Sequence, residues 1–131
     1  MAKTMSTILG IILLIVGLLG FAVPVFMGMH LTPLHNVIHL VSGALALWFG
    51  VKGTWESTRS FCLIFGIIYG LLGIVGFLFG GSDHMLTLVP NQLVLMTADH
   101  VVHVLLGVLF IIAALSRQVV TRPTPATPRG A

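Results

Sequence analysis

The chain has 131 residues, 57% hydrophobic and 7% charged, against about 25% charged in an average soluble domain. So little charge cannot cover a water-facing surface, which leaves an integral membrane protein as the class. The formal net charge of +3 comes from six basic residues set singly and in pairs, too scattered for a nucleic-acid interface, and the lone Cys62 excludes an internal disulfide or a cysteine zinc site.

Hydrophobic runs of about 20 residues cross a bilayer as helices, and four are expected here. The first runs from about Thr7 to Phe26. It is too long for a signal-peptide core and no small-x-small cleavage site follows, so it is expected to be a retained helix. The others run from about Leu34 to Val51, Phe61 to Gly80 and Leu93 to Leu115. Together they make a four-helix transmembrane domain over residues 1–116, followed by a tail at 117–131 expected to be disordered from its prolines and lack of apolar periodicity.

Positive residues orient the spans. Lys3 precedes the first, Lys52 and Arg59 separate the second from the third, and Arg117, Arg122 and Arg129 follow the fourth. All six fall on one side, which makes both termini cytoplasmic, in what is expected to be a bacterial inner membrane. Trp48 and Trp55 mark the same interface. The opposite side holds Asp83, Asp99 and all six histidines.

The halves resemble each other. Gly10, Gly17, Gly20 and Phe21 recur as Gly66, Gly73, Gly76 and Phe77, each at an offset of 56, and His39 and Gly43 recur as His103 and Gly107 at an offset of 64. The expected architecture is therefore all-α: a tandem repeat of two parallel two-helix hairpins, residues 4–53 and 60–116, related by a pseudo-two-fold axis along the membrane normal. The eight extra residues fall within "DHMLTLVPNQLVLMTA", read as a short interfacial segment or an outward extension of the fourth helix. Glycines 66, 70, 73, 76 and 80 form one helical stripe, expected to pack inside the bundle or to make the seam of a homo-oligomer or larger membrane complex.

His35, His39 and Gly43 share one helix face, with Asn36 at its edge; Asp99, His103 and Gly107 form the equivalent face, with His100 in place of Asn36. Thr32 before Pro33 reads as an N-cap, and Thr97 and Asp99 as residues serving the start of the fourth helix. This twice-written pattern, Asp/His-Asn-x-x-His-x-x-x-Gly, resembles that of a family of small bacterial four-helix membrane proteins known only as a domain of unknown function. The resemblance covers the four spans. It implies the fold and no activity, and the chain departs from the motif at His100.

Three readings of the cluster follow. The leading one is structural: Asp99 accepts from a histidine, Asn36 bridges, and interhelical bonds of about 0.6 to 2 kcal/mol each lock the repeats together. The protein would then be a small bundle or an accessory subunit of a larger complex. The second is a ligand site: His35, His39, Asp99, His100 and His103 hold a transition metal, or His39 and His103 are axial ligands of a haem or other tetrapyrrole, with Gly43 and Gly107 leaving room for the macrocycle. The third is a proton or substrate pathway. No nucleophile stands beside a base and no carboxylates are paired, so no enzyme is expected; Ser42 is expected to bond its own helix backbone, and Tyr69 to bond locally or to a neighbouring helix.

Overall fold

The computed structural model describes residues 1–117, so the tail, apart from Arg117, lies outside the described residues. Four long helices dominate: α1 Ala2–Ala22, α2 Pro33–Lys52, α3 Trp55–Phe79 and α4 Thr97–Leu115. They have 19 to 25 residues, or about 28 to 38 Å at 1.5 Å per residue, which matches a hydrocarbon core of about 30 Å. All four are apolar enough to cross a membrane. Their outer faces are studded with exposed aliphatic side chains such as Ile15, Leu18, Ile64, Leu71, Leu105 and Ile112, as a lipid-facing belt requires. The chain is an all-α integral membrane protein.

Local chemistry sets the helix ends. Thr32 caps α2, its hydroxyl accepting from the His35 N–H at 3.3 Å, with Pro33 in the first turn as the sequence predicts. Thr54 caps α3 in the same way through Ser57 N–H at 3.1 Å, so α3 begins at Trp55 rather than near Phe61. Pro24 lacks an N–H and disfavours helix for the residue before it, and α1 ends at Ala22 rather than Phe26.

The outer loops correct the sequence reading. Between α1 and α2 lies a small antiparallel hairpin, β1 Val25–Phe26 with β2 Met29–His30. Met27 and Gly28 both have positive φ, 51° and 80°, as a two-residue hairpin turn of the right twist demands. Between α3 and α4 lies a second, β3 Leu86–Val89 with β4 Leu93–Leu95, closed by a turn with Asn91 at φ 58° and Gln92 N–H donating to Val89 O at 3.1 Å. The extra residues thus build a short strand segment rather than an outward extension of α4, which begins at Thr97 rather than near Leu93. The reason lies in Pro90 and Asn91: proline fixes one turn torsion and asparagine tolerates the left-handed one.

α1 packs against α2 and α3 against α4, and these pairings are far more extensive than those between the hairpins. Glycine makes the close approach available. A Cβ on Gly10 would lie 2.9 Å from Gly43 O and one on Gly43 2.9 Å from Gly10 O; the corresponding distances for Gly66 and Gly107 are 2.9 and 2.8 Å. Gly73 meets His100 O and Val104, and Gly76 meets the His100 ring. Gly66, Gly70, Gly73 and Gly76 of the α3 stripe therefore face α4, while Gly80 meets His84.

The interior is graded along the membrane normal. Toward the end that carries Lys3, Lys52, Arg59 and Arg117, an apolar core gathers Leu9, Ala46, Phe61, Cys62, Phe110 and Ala113. Arg59 Nε donates to Ala114 O at 2.8 Å, tying the first turn of α3 to the last turn of α4. Toward the hairpin end, the interior turns polar.

Candidate metal centre

His35, Asn36, His39, Asp99, His100 and His103 are all buried, none more than 5% exposed. They divide into two groups because adjacent helical residues point about 100° apart. His35, His39 and His103 face the centre of the bundle. Asn36 and His100, each one residue on from His35 and Asp99, turn into their own hairpins. There Asn36 fills the space that Gly20 leaves on α1 and His100 the space that Gly76 leaves on α3.

The expected side-chain lock does not form. Asp99 sits in the first turn of α4, and its Oδ2 reaches back to accept from Met96 N–H at 2.8 Å rather than from a histidine. Asn36 Nδ2 donates to Leu31 O at 3.2 Å and bridges no repeat. His100 Nε2 donates to His84 O at 2.8 Å. Thr32 Oγ1 donates to Gln92 O across the outer loops. Among the described residues, no hydrogen bond joins two side chains of the cluster. These polar groups instead fasten the outer segments onto the helix ends.

The central group is different. One ring nitrogen each from His35, His39 and His103 lie within 4.8 Å of one another. The His35 and His39 rings stand 4.3 Å apart, and the His35 and His103 rings 6.1 Å. Among the described residues His35 Nε2, His39 Nδ1 and His103 Nδ1 are buried without hydrogen-bond partners. That is costly for groups away from water. His35 is also oriented. Its Nδ1 contacts the His30 carbonyl at 3.2 Å. A carbonyl only accepts, so Nδ1 carries a proton, and in the neutral ring Nε2 is the nitrogen with the lone pair. Metal-ligating histidines are held in this way, the second ring nitrogen donating to a backbone carbonyl.

The metal set read from sequence therefore contracts. His35, His39 and His103 come together; Asp99 and His100 do not join them, since one caps α4 and the other is held by the His84 carbonyl. A tetrapyrrole between His39 and His103 does not fit. His35 fills one side of His39, and Gly43 and Gly107, expected to make room, pack against Gly10 and Leu14 and against Gly66 and Gly70.

Two cavities flank the triad. One, of about 140 Å³, opens between α2 and α3 under the β3–β4 hairpin, lined by the three histidines, Ile38, Ser42, Phe65, Ile68, Tyr69, Leu72 and hairpin leucines. The other, of about 70 Å³, lies between α1 and α4, lined by Ile12, Leu13, Val16, Met29, His39, Asp99, Val102, His103 and Leu106. Tyr69, expected to bond locally or to a neighbouring helix, stacks on His103 of α4 with ring centroids 5.4 Å apart. Ser42 stands beside it, yet the Tyr69 Oη makes no bond of hydrogen-bonding geometry among the described residues.

A family model described as Domain of unknown function (DUF4383) matches residues 3–116. No curated protein and no solved structure matches the chain.

Proposed function

We propose, for a chain that belongs to the DUF4383 family and so takes no activity from it, that the protein is a transition-metal-binding membrane bundle whose ligands are His35, His39 and His103. The observation that carries this is the meeting of three buried imidazoles, each with an unpartnered ring nitrogen, on two hairpins. Three neutral histidines with an open fourth position suit Zn²⁺, which binds imidazole nitrogen at about 2.0 to 2.1 Å. Asp99, which lines the smaller cavity with His39 and His103, offsets part of the ion's charge without ligating it. We further infer a tandem duplication, supported by the recurrence of the Gly10–Gly43 contact as Gly66–Gly107. Both termini are cytoplasmic in this reading and the membrane is a bacterial inner membrane, supported by the single basic end.

The test is Zn²⁺ binding to purified protein by equilibrium dialysis and thermal melting. Wild type should bind one equivalent and melt at higher temperature with the ion, because a ligand stabilises only the state that binds it. His39→Leu and His103→Leu should each abolish both effects. Wild-type melts that ignore Zn²⁺, Co²⁺ and Cu²⁺ would contradict the proposal.

A further inference from the structure

The larger cavity is a second candidate site with a chemistry of its own. Its volume of about 140 Å³ is close to the roughly 150 Å³ of a buried apolar cavity that admits a benzene ring. Its walls are mostly aliphatic and aromatic. Ile38 and Ile68 line it and are also exposed on the apolar outer surface, so the cavity meets the lipid-facing side along the seam between α2 and α3. Tyr69 lines the cavity and is 4% exposed, and its hydroxyl, beside Ser42, makes no bond of hydrogen-bonding geometry among the described residues. Ser42 and the three histidines line the same space. An apolar chamber the size of one ring, open toward the bilayer and furnished with unpartnered polar groups, matches a particular kind of molecule.

We propose that this cavity binds a lipid-soluble, single-ring compound bearing a ring oxygen, with the Tyr69 hydroxyl donating to that oxygen and an aliphatic tail leaving between Ile38 and Ile68. The shared chemistry is an oxygen acceptor on a six-membered ring, and both a quinone carbonyl and a phenol oxygen supply it. The proposal shares the three histidines with the metal site but does not depend on a bound ion.

The equivalent positions of the smaller cavity supply the test. Offsets of 56 and 64 bring Leu13 onto Tyr69 and Leu106 onto Ser42. Where the larger cavity has a phenol and a hydroxymethyl, the smaller has two leucines. The experiment measures thermal shifts of full-length protein in detergent with a metal chelator present. The probes are 2-decyl-1,4-benzoquinone, 4-decylphenol and decylbenzene. One or both oxygen-bearing probes should raise the melting temperature of wild type more than decylbenzene does, and the stronger of the two identifies the oxygen type. Ser42→Leu, which borrows the residue already accepted at position 106, should abolish the shift by filling the chamber. Tyr69→Phe keeps the ring and should weaken binding about five- to tenfold, the loss expected for one hydrogen bond. Equal shifts from all three probes, no shift from any, or unchanged shifts in Tyr69→Phe would each overturn the proposal; the last decides it if Ser42→Leu fails to fold. The chelator keeps this result independent of the metal test.

Discussion

The two cavities beside His39 and His103 are lined from equivalent positions of the two hairpins and differ in what stands there. Ile12, Leu13 and Val16 of one correspond to Ile68, Tyr69 and Leu72 of the other, and Asp99, Val102 and Leu106 to His35, Ile38 and Ser42. One is small, leucine-walled and carries the carboxylate. The other is twice the volume, carries Tyr69 and Ser42, and is lined by leucines of the β3–β4 hairpin, where the smaller one meets only Met29 of the shorter β1–β2 hairpin. One pair of histidines thus has two unlike neighbours, a divergence within the duplication inferred above. The His35–Asp99 correspondence shows how. At one position the ring joins the central group; at the other the carboxylate folds back onto Met96 N–H. The helix starts differ with them: Thr32 caps α2 itself and leaves His35 free for the site, whereas α4 starts after Met96 and draws Asp99 into its cap.

The largest effect expected is on the frame that both cavities share. Gly43→Val and Gly107→Val should each cost about 1 to 3 kcal/mol or prevent folding, because the added side chain meets the backbone of the partner helix. Equal losses would sharpen the correspondence between hairpins. A tolerated valine in one hairpin alone, read in thermal melts, would break it.

Next come the histidines. Because the side chains of the cluster make no bonds to one another, His39→Leu strands no side-chain partner. The metal-free protein should therefore change in stability by less than about 1 kcal/mol, or gain, since an unpartnered buried polar group has been removed. A hydrogen-bonded lock predicts a loss instead, so chelator-treated melts of His39→Leu and His103→Leu separate the two accounts.

A smaller effect is expected at Asp99. Asn retains an acceptor for Met96 N–H but removes the charge that favours a helix N-terminus and a nearby cation. Asp99→Asn should lower stability by less than about 1 kcal/mol while weakening Zn²⁺ binding roughly tenfold, as loss of an outer-shell partner does. Unchanged Zn²⁺ affinity by competition titration would show that the smaller cavity contributes nothing to the triad.

The frame was more legible in the sequence than the site. Four spans, their pairing as hairpins and the role of Thr32 and Pro33 follow from hydrophobic run length, glycine spacing and capping chemistry, which act over a few residues. The outer hairpins escaped because Met27–Gly28 lacks the asparagine or aspartate that usually announces such a turn; Pro90–Asn91 did carry a signal. Burial of all six polar residues followed from their helical faces, but their division did not. Whether Asp99 reaches a histidine or its own helix start depends on where α4 begins, and that depends on the β4 strand before it. Tyr69 gave no motif at all; only packing of α3 against α4 sets it on His103.

The most direct test of the central claim, that three histidines and neither Asp99 nor His100 hold the ion, is X-ray absorption fine structure at the zinc edge of wild-type protein loaded with one equivalent of Zn²⁺. Three imidazole nitrogens at about 2.0 to 2.1 Å with one further light atom are expected, with a signal unchanged in His100→Gln. A shell with fewer than three imidazoles, or one that loses an imidazole in His100→Gln, would contradict it.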